Sequence, residues 1–190
     1  PTGRGSPTRR PIDSAAMSSA PRSARAALES RRAAGGCALV PFLTAGYPDW
    51  RGFDEAVRTL AAGGADLLEL GIPFSDPLAD GPTIQASSQR ALEAGVTVER
   101  ILEEVARRAG AWGLPIVLMS YANPILAFGA SRFAREARAS GVAGVLVSDL
   151  PPEELPEVWE AFGREGLERV VLVAPTTSPD RLPRLAAAAD

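Results

Sequence analysis

From Ser23 onward, short apolar runs alternate with segments whose apolar residues recur every three or four positions. The runs cover residues 37–44, 67–72, 115–121, 144–149 and 170–174, and each predicts a strand. Between them lie helical stripes. Phe53, Val57 and Leu60 follow Pro48-Asp49, and Val98, Ile101, Leu102 and Val105 follow a Thr97 cap. A helix from Ser131 buries Phe133 and Ala137 and stops at Gly141, and another carries Leu155, Val158, Trp159 and Phe162. Further helices are predicted over residues 23–32, 83–94 and about 178–190.

Five strand–helix units in series predict an α/β fold with a parallel sheet. Two closures are open to it, a doubly wound sheet or a (β/α)8 TIM barrel. The first strand runs into Thr44-Ala45-Gly46-Tyr47-Pro48 rather than a Gly-x-Gly-x-x-Gly turn, which disfavours dinucleotide binding. Either closure puts ligands at the carboxyl ends of the strands. Polar residues gather there: Thr44, Glu69, Ser75, Asp76, Asp80, Tyr121, Asn123, Ser148, Asp149, Thr176 and Thr177.

Composition narrows the chemistry. With 190 residues the chain has room for one domain with a sizeable core. A net charge of -3 favours neither nucleic acid nor an anionic membrane, and no apolar run reaches the ~18 residues of a spanning helix. Cys37 is the sole cysteine, so no intrachain disulfide forms and a cytoplasmic protein is the simplest reading. It is read as a small core residue at the start of its strand. Histidine is absent, which removes the usual general base and most zinc sites. All 20 basic residues are arginine, a poor acid or base. Proton transfer therefore falls mainly to carboxylates. Residues 1–20 are expected to be disordered or a mis-read start, with Met17 a candidate initiator, and residues 21–190 to form the domain. The Arg- and Ser-rich start also has the composition of a transit peptide.

Two carboxylates stand out. Glu69 lies in the run Asp66-Leu67-Leu68-Glu69-Leu70-Gly71-Ile72, apolar enough to be buried on both faces. Desolvation there raises a carboxyl pKa and suits a general acid near neutral pH. Asp80 follows in a loop punctuated by Pro73, Pro77 and Pro82. Two carboxyls in different surroundings are a recurring arrangement for acid/base chemistry. The bland alternatives are a structural Glu69 bonded to backbone and an Asp80 that serves only an Asp-Gly turn. Asp149, at a strand end, is read as ordering a neighbouring loop.

The fifteen residues Leu68 to Pro82 closely resemble the signature of the tryptophan synthase alpha chain family. Val40-Pro41-Phe42-Leu43-Thr44-Ala45-Gly46-Tyr47-Pro48, Met119-Ser120-Tyr121-Ala122-Asn123-Pro124-Ile125 and Gly144-Val145-Leu146-Val147-Ser148-Asp149-Leu150-Pro151 match it in the same order. The resemblance implies a TIM barrel and a carbon–carbon lyase of tryptophan biosynthesis. That lyase cleaves indole-3-glycerol phosphate to indole and glyceraldehyde 3-phosphate by a retro-aldol step. It implies Glu69 and Asp80 as catalytic residues. Phe42, Ile84, Met119, Tyr121, Leu146 and Ser148 would line the indole pocket. Pro73, Asp76, Pro77 and Asn123 would lie near a beta-chain interface, in an alpha2beta2 heterotetramer. The chain itself is expected to hold no cofactor or metal; pyridoxal phosphate belongs to the beta partner. The loop from Pro73 to Asp80 is also a candidate lid.

A (β/α)8 barrel takes ~250 residues, and the match stops in the helix after the fifth strand. Strands 6–8 and the usual phosphate site are missing from it. A fragment with impaired activity on its own is therefore expected. A non-catalytic alpha-like partner that modulates the beta chain is the alternative.

Overall fold

The computed structural model describes residues 23–190. The expectations for residues 1–20 and Met17 fall outside the described residues. Five parallel strands form one sheet in the order β1 (Phe42–Thr44), β2 (Leu68–Gly71), β3 (Ile116–Ser120), β4 (Gly144–Val147) and β5 (Glu168–Val170). A doubly wound sheet reverses its strand order part-way and has helices on both faces. Here each strand simply adds beside its predecessor, which is how a barrel grows.

The helices arise where local chemistry favours them. Helix α1 (Ala24–Ala33) starts at Ser23, whose hydroxyl accepts from the Ala26 N–H, and carries Arg31 and Arg32 in its last turn. Helix α2 (Trp50–Ala62) is capped by Asp49 in the same way, and α3 (Pro82–Glu93) opens on a proline. Thr97 caps α4 (Val98–Trp112), which ends at Gly113 with φ 69°. Then follow α5 (Ala122–Phe128), α6 (Ala130–Ser140), α7 (Pro156–Arg164) and α8 (Leu182–Ala188).

The two faces of the sheet bury different partners. On one face Leu68, Leu70, Ile116, Leu118, Val145 and Val147 pack against Phe53, Val57, Ile101, Phe133 and Phe162 of the helices. Full burial of one such side chain contributes about 1.5–3 kcal/mol. On the other face Leu67, Val117, Ala143 and Leu146 form a smaller cluster with Ala24 of α1. Leu67, Val117 and Ala143 lie near the amino ends of their strands, so α1 packs against that end.

Several expectations need correction. The concave face is not buried throughout: Glu69, Met119 and Val170 are only partly covered. Cys37 is exposed, because its segment precedes a β1 that begins only at Phe42. Strand β5 begins two residues earlier than predicted and ends at Val170, leaving Leu172 and Val173 exposed. Helix α5 was not predicted, because its seven residues are too few for a readable period. Glu104, fully buried on α4, pairs with Arg100 at 2.6 Å, with Arg108 at 2.9 Å and with Arg107. Arg108 and Trp112 also reach Asp54, which joins α4 to α2.

Candidate active site

Parallel register fixes which side chains share the concave face. Glu69 of β2 pairs with Phe42 on one side and Val117 on the other. Two residues on, Gly71 pairs with Met119, which pairs with Leu146, which pairs with Val170. Residues i and i+2 of a strand point the same way and lie about 7 Å apart. Glu69 and Gly71 thus stand in successive rows of one face.

Gly71 gives Phe42 its place. A Cβ at Gly71 would lie 2.4 Å from Phe42 Cζ and 2.6 Å from Cε2, so the ring rests against bare backbone. Among the described residues the Glu69 carboxylate makes no side-chain hydrogen bond or ion pair. Burial pushes the Glu69 carboxyl above the ordinary carboxyl range. A bonded structural carboxylate, the bland alternative, does not match this geometry.

The chain leaves β2 in a loop, residues 72–81, that brings Asp80 to the start of α3. The Asp80 carbonyl accepts from Gln85 Nε2 at 2.8 Å. The Tyr121 hydroxyl accepts from the Ala79 N–H at 3.0 Å, and the Phe74 ring lies 5.4 Å from the Tyr121 ring. Burial pushes the Tyr121 phenol up, and the Asp80 carboxylate beside it acts in the same direction. It therefore keeps its proton at neutral pH.

Phe42, Asp80, Ile84, Met119, Tyr121 and Ser148 line one cleft at the carboxyl ends of β1–β4. Gly71, Ile72, Ser88 and Ser120 complete it. Its free space is about 10 Å³, roughly one water. The Ser148 hydroxyl is buried, has no hydrogen-bond partner among the described residues and is available to a ligand. Leu146 lies outside the cleft, buried beside Met119 in the concave cluster. Glu69 also lies outside it, facing a cavity of about 420 Å³ lined by Val40, Leu67, Val117 and Val170 and by the charged Arg25, Glu29, Glu168 and Asp190. Phe42 belongs to both surroundings, as cross-strand neighbour of Glu69 and wall of the Asp80 cleft.

Of the residues expected at an interface, Asp76 and Asn123 are exposed, Pro77 is half-buried and Pro73 is buried. Leu78, 91% exposed, is the most open large apolar residue of that loop. Asp149 accepts from the Ala122 N–H at 2.7 Å and so orders the start of α5, as its loop reading anticipated. Gly71, Ser88 and Ser120 were not foreseen as site residues. A glycine inside a strand does signal close approach and could have flagged Gly71. Among the described residues no group of three or more His, Cys, Asp or Glu stands together as a metal site.

A family model described as "Tryptophan synthase alpha chain" matches residues 28–190. The chain belongs to the tryptophan synthase alpha chain family. It is 48% identical over 159 residues to the tryptophan synthase alpha chain of Picosynechococcus sp., covering 84% of this chain and 60% of that protein. It is 52% identical over 149 residues to that of Geobacter sulfurreducens, covering 78% and 56%. Tryptophan synthase subunit alpha from Legionella pneumophila superposes with a TM-score of 0.83 at 38% identity, over 87% of this chain and 64% of that one. A tryptophan synthase from M. tuberculosis gives 0.82 at 37% identity, over 90% and 68%. The chain thus spans a little over half the length of the curated relatives it matches. Its five parallel strands are part of a TIM barrel.

Proposed function

We propose that this chain carries the catalytic carboxylates of a lyase that cleaves indole-3-glycerol phosphate to indole and glyceraldehyde 3-phosphate. The observation that carries the reading is an unpaired Glu69 of raised pKa on the same strand face as a cleft that holds Asp80 among apolar walls. Cleavage delivers a proton to indole C3 and breaks the bond from C3 to the side chain. It also removes a proton from the adjacent hydroxyl, whose carbon becomes the aldehyde. A carboxyl of raised pKa holds its proton more readily than an ordinary one and can both give and take these protons. The Asp80 carboxylate is suited to the indole N–H, where positive charge develops as C3 is protonated. Phe42, Ile84 and Met119 offer flat apolar contact to the ring, and Ser148 a free hydroxyl.

Among the described residues no cationic side chain lines the cleft, so groups elsewhere have to hold the substrate phosphate. The free space admits about one water, so indole entry requires the Phe42 ring or the loop over residues 73–80 to move. The same loop with Asp76, Pro77 and Leu78, together with Asn123 of α5, offers an exposed edge to a beta chain. Pyridoxal phosphate chemistry is assigned to that partner. The test is Asp80→Asn in the protein, assayed with the beta chain present. Indole formation should fall by about 10²-fold or more, the scale of one acid/base group. An unchanged rate would leave Asp80 a turn residue.

A further inference from the structure

The loop after β2 has few anchors. Its first N–H, at Ile72, donates to the Met119 carbonyl at 2.8 Å. At its far end the Asp80 carbonyl accepts from Gln85 of the adjoining α3. Between those points, among the described residues, the Tyr121 hydroxyl is the polar group that ties the loop to another strand's end. It accepts from the Ala79 N–H across 42 residues of sequence and also interacts with Asp80. Ala79 stands immediately before Asp80.

Tyr121 is itself held. It is buried, its ring lies against Phe74, and it is the residue from which α5 starts. That helix has no side-chain cap of its own on Tyr121. The cap comes instead from the end of β4, where Asp149 Oδ1 accepts from the Ala122 N–H. A carboxylate at a helix start is favoured by both the free N–H groups and the dipole. A continuous path therefore runs from Asp149 to the first turn of α5, to the Tyr121 hydroxyl, to Ala79 and so to Asp80.

We infer that Tyr121 and Asp149 are positioning residues that hold the loop over residues 72–81 against the cleft and so aim the Asp80 carboxylate at the ligand. The inference rests on the reading of the cleft as an indole site. It assigns Tyr121 more than the flat contact of a wall: its oxygen holds the backbone at Ala79, while its ring packs against Phe74 of the same loop. Phenylalanine keeps the ring and its contact with Phe74 and removes only that oxygen. Asparagine at position 149 keeps an acceptor for Ala122, whereas alanine does not.

The test has two arms. In the first, hydrogen exchange is followed at the Ala79 amide. Tyr121→Phe should speed exchange by about tenfold, the scale of one net hydrogen bond. Asp149→Ala should speed it as well, and Asp149→Asn should restore the parent rate. In the second, indole binding is measured for Tyr121→Phe, Asp80→Asn and the double variant. Tyr121→Phe should weaken indole by about tenfold. The double variant should bind no more weakly than Asp80→Asn alone, because Tyr121 acts through Asp80. A purely structural Tyr121 would instead multiply the two losses, and that result overturns the inference. Unchanged Ala79 exchange in Tyr121→Phe overturns it too. Failure of the parent protein to bind indole would sink the indole reading of the cleft, while the exchange arm still decides whether the latch exists.

Discussion

Replacing Gly71 with alanine tests the packing between the Glu69 strand and the wall of the cleft. The new Cβ would stand 2.4 Å from Phe42 Cζ and 2.6 Å from Cε2. Carbon contacts are ordinarily about 3.5–4.0 Å, so the ring has to retreat by about 1 Å. The backbone does not object, since Gly71 is not among the glycines of positive φ. Two stability effects then oppose each other. Overpacking costs about 1–3 kcal/mol, and a half-buried Phe42 on an outer strand yields at the low end. Lower freedom of the unfolded chain offsets about 0.4–1 kcal/mol of it. The net change should lie within about 1 kcal/mol of zero. The cleft has no such slack, with about 10 Å³ free. Indole affinity should therefore fall by about tenfold, or 1.4 kcal/mol, while the urea midpoint barely moves. Adding Phe42→Leu should recover part of the affinity. Equilibrium dialysis with indole and urea unfolding read the two quantities separately. Parent-like affinity would refute the packing argument, as would a stability loss beyond about 3 kcal/mol.

Two further outcomes follow from the buried charges. Burial raises the Glu69 carboxyl in the folded state, so its favourable contribution is present below the unfolded carboxyl pKa of about 4.3 and is lost as pH rises through the folded value. Glu69→Gln should then be more stable than the parent at pH 7, with the difference shrinking towards pH 4; a parent that is the more stable at pH 7 would contradict the desolvation argument. Glu104→Ala should destabilise by about 1.5–3 kcal/mol, because three arginines lose a buried partner, and a urea midpoint within error of the parent would show the cluster to be dispensable.

The sequence carried much of this architecture, for identifiable reasons. Helices α2, α4, α6 and α7 have long amphipathic stripes and clear end signals, and they lie close to where those signals put them. The central strands β2, β3 and β4 are continuous apolar runs and were equally legible. The outer strands were not. An edge strand has one paired side, so its extent depends on neighbours that local composition does not report; β1 and β5 are each only three residues long. The choice between barrel and doubly wound sheet likewise waited for the strand order. At the site, the run from Leu68 to Pro82 marked Glu69 and Asp80 plainly. Register and loop course then separated their surroundings, with Asp80 in the small cleft and Glu69 beside a larger cavity. The roles of Gly71, Ala79 and Asp149 depend on contacts 27 to 42 residues apart or on the space a ring occupies, and no local pattern encodes those. Glu104 was hidden for a related reason. It adjoins the apolar stripe of α4 in a charged stretch, and only the folded structure shows it to be buried.

The central claim is that Glu69 moves the protons of carbon–carbon cleavage. The most direct measurement compares indole formation from indole-3-glycerol phosphate by the parent and by Glu69→Gln, with the beta chain present and indole binding followed in parallel. The account predicts that the variant binds indole as the parent does and cleaves at least about 10²-fold more slowly. Equal cleavage rates in the two proteins would contradict it.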